Sequence, residues 1–403
     1  MFFLGATLHA QNISGTWTGL LDAKVMKLHI VFHFQKDNQG KDVCFMDSPD
    51  QSAKGIPTSL LYISSDSVSV SVPAASLSFT GKRNDKEISG TFTQMGQRLP
   101  LLLKEGAIQH QRPQHPKSPF PYTTEEVTFD NQSANVTLAG TLTYPIGYHP
   151  GQKVPIVLMV TGSGPENRDS EIYDHKPFFV IADYLAKNGI ATLRYDDRAV
   201  GKSTGTRPTT TTLEVADDAQ AGIKYLRQLD KFTQVGILGH SEGASVAFIL
   251  GAKKSIDFAI SMAGIGVNGG DVLYEQAKSI VELSGQKYPM TKEQLLNTIK
   301  AQHNPWLDYF VNYDPLHDIQ QTTCPVFALN GDKDLQVIAK QNFAPIKKHI
   351  QNNPKSKAKI YPALNHLFQE CTTGLPTEYT GIEQTISPIV LKDIAEWIKS
   401  VTK

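Results

Sequence analysis

The sequence has few features that would direct it to a charged partner, a disulfide framework or a lipid bilayer. Its 39 Lys and Arg residues balance 39 Asp and Glu residues, and no basic run stands out over the 403 residues. Nucleic acids and anionic membranes are therefore not expected partners. No apolar stretch reaches the ~20 residues that a membrane-spanning helix needs. Three cysteines are too few for a disulfide framework.

Patterns that bind metals or nucleotides are missing as well. The chain contains no H-E-x-x-H and no Cys-x-x-Cys, which are common signatures of zinc sites. Gly201-Lys202-Ser203 looks like the end of a P-loop, but Asp196 stands where that loop requires glycine. We therefore predict neither a metal nor an organic cofactor.

The amino terminus is short and apolar. Residues 1–11 close in Leu-x-Ala before Gln11, as at a secretory cleavage site, although a positive region before them is missing. We expect an exported protein, periplasmic or extracellular, and a plain apolar terminus is the alternative. Cys324 and Cys371 could form a bridge in an oxidising compartment, but two buried free thiols are the favoured interpretation.

Composition divides the chain at a proline-rich stretch. Residues 106–122 are polar and rich in proline, which predicts a semi-rigid linker. Before it, residues 12–105 contain short β-prone runs separated by clusters of Gly, Asp, Asn and Ser. The clearest run is 27–34, whose second half alternates polar and apolar side chains. We expect a small antiparallel β-barrel or β-sandwich here.

From residue 123 to residue 403, β-prone runs and helical patterns alternate. Runs at 125–129 and 136–144 predict an opening antiparallel hairpin, and six later runs predict parallel strands. Such a doubly wound, mostly parallel sheet carries its functional groups at the carboxyl ends of the strands. An insertion at about 266–320 is too long for a simple crossover. It contains helical patterns at 270–283 and 291–303 and a group of aromatic residues, Trp306, Tyr309, Phe310 and Tyr313.

The most informative segment is residues 236–243, which read Gly-Ile-Leu-Gly-His-Ser-Glu-Gly. They place G-x-S-x-G directly after an apolar run and before a stretch of small and apolar residues. Strand, tight turn and helix form the context of a nucleophile elbow. Gly239 and Gly243 let strand and helix pass without a Cβ clash, and the helix points its N–H groups at the serine. Ser241 is therefore the candidate nucleophile.

Two later segments contribute an acid and a base. Residues 326–334 are an apolar strand that ends in Gly331 and two acids, Asp332 and Asp334. His366 follows in a loop past a short strand. The chain order Ser, Asp, His is that of the α/β-hydrolases rather than that of chymotrypsin or subtilisin.

From about residue 123 to the C terminus, the chain resembles serine hydrolases of the α/β-hydrolase superfamily, most closely the bacterial esterase and prolyl-oligopeptidase-like branch. Residues 160–165, Val-Thr-Gly-Ser-Gly-Pro, stand where that family carries its His-Gly-x-Gly oxyanion loop, with Thr161 replacing the usual histidine. Backbone N–H groups act in such a loop, so the departure weakens the match little. By the same resemblance, the insertion corresponds to a cap, with one or two aromatics lining the acyl pocket and the others forming its core.

The resemblance implies a role for each candidate residue. Ser241 would attack the substrate, His366 would be the base that activates it, and an acid would orient the imidazole. The family pattern Gly-x-x-Asp, counted from Gly331, favours Asp334 as this acid, and Asp332 is the competing choice. The oxyanion hole would consist of two backbone N–H groups, those of Ser163 and Glu242.

Three neighbouring polar residues have structural interpretations. His240 is predicted to be a packing residue with a hydrogen-bonded ring N–H. Asp197 and Arg198 lie in a stretch similar to the Asp-x-Arg-Gly-x-Gly-x-Ser segment of the family, with Ala199 replacing a glycine. We expect these two residues to tie loops together through buried charge pairs.

The predicted activity is hydrolysis of a small-molecule carboxylic ester through an acyl-enzyme intermediate, by a Ser–His–Asp triad. A peptidase or amidase of the prolyl-oligopeptidase type is the alternative, because the same triad would serve it. Against this alternative, residues 12–105 are too short for the propeller of those peptidases. A non-catalytic binding protein is the third interpretation. The sequence leaves the natural substrate and the oligomeric state open.

Overall fold

The chain divides into two units, Met1–Gln111 (unit 1) and Arg112–Lys403 (unit 2). The computed structural model describes residues 13–22, 27–49, 53–94, 96–106, 111–206 and 210–403. The apolar segment 1–11 lies outside the described residues. Export of the protein, which we expect from this segment, stays a prediction. Within the described ranges, no helix is both long enough and apolar enough to cross a membrane.

Unit 1 is one antiparallel sheet, in which the described residues form nine strands. Along the chain these are β1 (Gly15–Asp22), β2 (Lys27–Lys36), β3 (Asp42–Ser48), β4 (Ala53–Pro57), β5 (Ser59–Ile63), β6 (Ser67–Val72), β7 (Leu77–Asn84), β8 (Glu87–Gln94) and β9 (Gln97–Glu105). Their order in the sheet is β4-β3-β2-β1-β9-β8-β7-β6-β5. Only Thr58 separates β4 from β5, yet they lie at opposite ends of this order. Because one residue spans only about 3.5 Å, the sheet curls into a barrel-like shape.

The core of unit 1 follows from alternation along its strands. β6 reads Ser-Val-Ser-Val-Ser-Val, and its valines are the more buried residues. Successive side chains of a strand point to opposite faces, so one face meets the core, which includes the fully buried Trp17, Phe32 and Phe79. The predicted all-β region is confirmed. None of the β-prone runs covered β3, β4 or β5. Neither β4 nor β5 contains a buried residue, so neither shows apolar alternation, whereas β3 does alternate and was missed.

Unit 2 contains an eight-stranded mixed sheet. Its strands are β10 (Thr124–Asn131), β11 (Val136–Thr143), β12 (Val154–Val160), β13 (Ala191–Tyr195), β14 (Phe232–His240), β15 (Ala259–Met262), β16 (Val326–Gly331) and β17 (Lys357–Tyr361). Their order is β10-β11-β13-β12-β14-β15-β16-β17. β10 and β11 form the predicted antiparallel hairpin, and β12 to β17 pair in parallel. This confirms a mostly parallel sheet.

Helices cover both faces of this sheet. They are α1 (Pro177–Ala186), α2 (Thr212–Gln228), α3 (Glu242–Ala252), α4 (Gly269–Leu283), α5 (Lys292–Lys300), α6 (Pro305–Asn312), α7 (Leu316–Gln321), α8 (Ala339–Ile350) and α9 (Pro388–Val401). Alternate residues of β12 enter two separate cores. Ile156 and Leu158 pack in the core that contains α2 and α3, whereas Val157 and Met159 pack with α1 and α9. Burial on both faces explains the nearly continuous apolar sequence of β12.

The insertion after β15 consists of helices. α4 and α5 occupy the two predicted helical patterns, and α5 ends at Lys300, earlier than predicted. Three residues of the aromatic group, Trp306, Tyr309 and Phe310, lie on a further helix, α6, which was not predicted, and Tyr313 directly follows it. We call α4, α5 and α6 the cap helices. Few of their side chains are buried: Val272 in α4, Ile299 in α5 and Phe310 in α6.

Residues 112–122 of the predicted linker belong to unit 2. The guanidinium group of Arg112 donates to three backbone carbonyl oxygens, those of Tyr173, Thr380 and Ile382. The side chain of Gln114 bonds to backbone groups of Thr385 and Ile386. Prolines remove backbone N–H donors, so this segment is attached through its side chains instead. We call residues 112–115 the strap.

Candidate active site

Ser241 occupies the turn between β14 and α3. Its backbone angles are φ 54° and ψ −116°, outside the regions that residues with side chains ordinarily adopt. Its N–H donates to the carbonyl oxygen of Met262 at 2.8 Å, and its own carbonyl accepts from Ala244 at 3.0 Å. The structure therefore builds the strained strand–turn–helix element that the motif predicts.

Close packing requires both glycines of the motif. A Cβ atom at Gly239 would lie 1.9 Å from the carbonyl oxygen of Gly243. A Cβ atom at Gly243 would lie 2.3 Å from the carbonyl oxygen of Val160 in β12. A side chain at either position would push helix and strands apart, and a close-packed interior resists such movement.

The structure brings Asp334 and His366 together. Nδ1 of His366 donates to Oδ2 of Asp334 at 2.8 Å, and both side chains are buried. Oδ1 of Asp334 accepts from the N–H groups of Gln336 and Val337, each at 2.8 Å. The carboxylate is thus held by three donors, and the bond at Nδ1 leaves Nε2 of the ring for a reacting partner.

Asp332, the competing acid, has a different position. It is exposed, and its Oδ1 accepts from the N–H of Ala363 at 2.7 Å. This bond links the turn after β16 to the loop after β17. Asp332 therefore stabilises the backbone that leads to His366, and the imidazole itself bonds to Asp334.

Ser241 and His366 line one cavity of about 210 Å³. Within the described residues, no hydrogen bond joins the Ser241 hydroxyl to the imidazole. Such bonds are often long before a substrate binds and tighten in the complex. The residues predicted to form the oxyanion loop reach the same cavity, since Gly162 and Ser163 line it. A Cβ atom at Gly162 would lie 3.4 Å from Cβ of Ser241.

The second predicted oxyanion donor is at the start of a helix. Glu242 is the first residue of α3, and the first N–H groups of a helix have no acceptor within it. The partial positive charge of the helix start favours a negative oxygen at this place. The Ser163 loop is held by Asp197, which accepts from the Thr161 hydroxyl and the Glu166 N–H at 3.0 Å each.

Arg198, like Asp197, has the predicted structural role. Its guanidinium group binds both carboxylate oxygens of buried Asp218, at 2.7 and 2.8 Å. Cys324 and Cys371 are free thiols, as favoured, but both are half-buried rather than buried. Partial burial raises the pKa of each to about 11. Within the described ranges, no cluster of His, Cys, Asp and Glu side chains could hold a metal ion.

The cavity is lined by both apolar and polar side chains. Its apolar lining includes Ile265, Val272, Leu273, Trp306, Phe310 and Val337. Its polar lining includes Glu166, Ser170, Gln276 and Gln336. Sequence reasoning missed most of these residues. On α4, Gln276 lies four positions after Val272 and three after Leu273. This helical spacing places the three residues on one face and is the signal that could have identified them.

Two buried histidines hold loops of unit 2 through their ring nitrogens. The ring N–H of His240 donates to the backbone oxygen of His366 at 2.9 Å, as predicted for a bonded packing residue. Burial and the neighbouring imidazole lower the pKa of His240 to about 3. His175 contacts the Thr385 hydroxyl and the Tyr379 backbone oxygen at 2.9 and 3.0 Å. Burial lowers its pKa to about 4. Both rings are therefore neutral at neutral pH.

Comparisons with known proteins give the family and the fold that this chain resembles. Residues 174–328 match the model of a family described as serine aminopeptidase, S33; the match includes Ser241 and ends before Asp334. Esterase EstD of Thermotoga maritima is 26% identical over 336 residues, covering 79% of this chain and 78% of the relative. This share exceeds the length of unit 2, so the similarity extends into unit 1.

The structural comparison decides the fold. The solved structure of the Pyrococcus furiosus esterase Pf2001 has a TM-score of 0.51 and 21% sequence identity, covering 74% of this chain and 100% of that chain. Unit 2 has the α/β-hydrolase fold. In this α/β-hydrolase unit, Ser241 follows β14, Asp334 follows β16 and His366 follows β17, each beyond the carboxyl end of its strand. The prolyl-oligopeptidase-like branch stays a prediction, since the matching family is described as S33.

Proposed function

We propose that this protein hydrolyses carboxylic esters of small molecules through an acyl-enzyme intermediate. The observation that carries the proposal is the arrangement of three residues. His366 is bonded to buried Asp334, and it lines one cavity with Ser241 at a strained turn. The similarity to an esterase over 79% of this chain supports esters as the substrate class.

In the proposed reaction, Nε2 of His366 takes the proton from Ser241 as the hydroxyl oxygen attacks the ester carbonyl. Asp334 stabilises the imidazolium that forms. The backbone N–H groups of Ser163 and Glu242 bind the negative oxygen. The C–O bond then breaks, and His366 returns the proton to the leaving alcohol. His366 then deprotonates a water molecule as its oxygen attacks the acyl carbon. The bond between that carbon and the Ser241 oxygen breaks, His366 returns the proton to the serine oxygen, and the acid leaves.

The shape of the cavity supports a small, largely uncharged acyl group. Its volume of about 210 Å³ lies below the ~300–1,000 Å³ of pockets for drug-sized ligands. Its lining includes apolar side chains from α4 and α6, against which burial of a short alkyl chain is favourable. We therefore expect short-chain esters to be the better substrates.

The test is the turnover of p-nitrophenyl esters from acetate to octanoate by the full-length chain. We expect Ser241→Ala and His366→Ala to reduce kcat by at least about 10⁴-fold, because nucleophile and base act as a unit. Thermal melting checks that both variants fold. Ser241→Ala protein that retained wild-type turnover would contradict the proposal.

A peptidase or amidase is the second candidate. The matching family is described as serine aminopeptidase, and Glu166 lines the cavity with a carboxylate suited to an ammonium group. Aminoacyl and prolyl nitroanilides, assayed beside the esters, separate the two candidates. Anilide cleavage at rates comparable to ester cleavage would favour the peptidase, and strong preference for esters would favour the esterase.

A further inference from the structure

The side chain of Glu242 connects the nucleophile turn to the cap. Glu242 directly follows Ser241, and its carboxylate accepts two contacts from the indole N–H of Trp306, at 2.9 and 3.0 Å. Trp306 belongs to α6 and lines the cavity, whereas Glu242 is not among the lining residues. The indole N–H of Trp306 is therefore held by a residue outside the cavity lining, while Trp306 itself borders the cavity.

The carboxylate of Glu242 is well suited to serve as an anchor. It is only 5% exposed, and the hydroxyl of Thr212 also donates to it at 2.6 Å. These donors are uncharged, and the start of α3 adds a favourable dipole. A buried carboxylate that loses a donor loses stability, because no water replaces the missing bond. Moving the indole N–H away from Glu242 would therefore cost free energy.

The remainder of α6 holds Trp306 less firmly. Phe310 is the buried residue of this helix, and the ring of Trp306 stacks on it with centroids 5.6 Å apart. Stacked rings can slide or tilt at little energetic cost, whereas the bond to Glu242 defines a direction. Trp306 without this bond would keep its neighbours but lose its fixed orientation.

We propose that Glu242 is a positioning residue for substrate selection, which holds Trp306 as the wall that limits acyl chain length. This inference rests on the proposed ester hydrolysis. The side chain of Glu242 acts through Trp306, while its backbone N–H has the separate task of binding the oxyanion. The function of the pair is to reject long acyl groups rather than to perform chemistry.

The experiment compares kcat/KM for p-nitrophenyl octanoate with kcat/KM for the acetate. Trp306→Phe keeps a ring but removes the N–H, and Glu242→Leu removes the acceptor. We expect both changes to raise the octanoate-to-acetate ratio about 10-fold or more, since one methylene in a tight pocket is worth about that factor. Glu242→Gln retains an acceptor oxygen, so its ratio should stay near the wild-type value.

Trp397→Phe is the matched control. Its indole N–H also donates a hydrogen bond, to the backbone oxygen of Lys355 at 3.0 Å, and it lies in α9 away from the cavity. This variant should leave the ratio unchanged. If Glu242→Leu fails to fold, Glu242→Ser takes its place, because a serine hydroxyl is too short to reach the indole.

The outcomes are distinct. A raised ratio in Trp306→Phe and in the Glu242 variant without an acceptor supports the inference. A raised ratio in Trp306→Phe alone overturns it, since Trp306 would then limit acyl length without the hydrogen bond to Glu242. An unchanged ratio in both also overturns it, with ester hydrolysis left intact. Wild-type protein without Ser241-dependent ester turnover would instead refute the proposed function itself.

Discussion

The base of the α/β-hydrolase unit and its cap differ in how tightly they are packed. In α3, which follows the nucleophile turn, ten of the eleven residues are buried. In α5 only Ile299 is buried, and in α6 only Phe310. The sequence of α3 is accordingly apolar on all sides, whereas the cap helices have one apolar stripe.

This difference matches two different requirements. Reacting groups must be held within fractions of an ångström, because small misplacements are costly to the rate. Ser241, Asp334 and His366 therefore lie in turns and loops that follow strands of the base. The lining of a substrate cavity takes part in no bond-making step, so helices with few buried contacts, held at single points such as Trp306, can supply it. We infer that changes in the base alter rate and stability, whereas changes in the cap alter selectivity.

The largest effect is expected from the acid of the base. Asp334→Asn should reduce kcat by about 10⁴-fold, because the amide leaves His366 in the wrong tautomer. Asp332→Asn, the matched control, should change kcat less than about 10-fold, since its carboxylate bonds only to the backbone of Ala363. Steady-state ester kinetics measure both. A greater loss in Asp332→Asn would assign the acid to the other residue.

A smaller effect is expected when a methyl group is added to a glycine. Gly243→Ala should lower the free energy of unfolding by about 3 kcal/mol, because the new Cβ would overlap the carbonyl oxygen of Val160. Gly285→Ala, at the end of cap helix α4, should cost about 1 kcal/mol. There the Cβ meets no neighbour, and only the positive φ of 81° opposes it. Urea unfolding measures both, and equal costs would remove the distinction between base and cap.

The smallest effect, per pH unit, is the loss of folding stability at low pH. His240 and His175 have pKa values lowered from 6.5 to about 3 and about 4. Between about pH 6 and pH 4 the unfolded chain binds these protons and the folded chain does not, so stability falls as pH falls. Each histidine should contribute a slope of up to about 1.4 kcal/mol per pH unit. Urea unfolding at several pH values should show a shallower slope for His175→Gln, and an unchanged slope would contradict this assignment.

Local patterns were sufficient to predict the elbow and the sheet. G-x-S-x-G between an apolar strand and a helix of small residues located Ser241, and Gly331 located the turn that carries Asp334. Both depend on neighbours within a few positions of the chain. The same holds for the hairpin of β10 and β11, whose register follows from a short connection.

Contacts between distant parts of the chain could not be predicted in this way. Trp306 and Glu242 are 64 positions apart, and Arg112 and Ile382 are 270 positions apart. No periodicity links such pairs, because they meet only after the sheet has ordered its strands. For this reason the aromatic residues of the cap could be located, but the one held by a carboxylate could not be identified.

The strap has a consequence for anyone who divides this protein into fragments. A fragment that began at residue 123, where the α/β pattern starts, would lack Arg112 and Gln114. The backbone oxygens of Thr380 and Ile382 would lose their guanidinium donor, in a segment that also carries Tyr379 against His175. A fragment that starts before Arg112 keeps these bonds. The working boundary of the domain is where its hydrogen bonds end, eleven residues before the boundary that composition suggests.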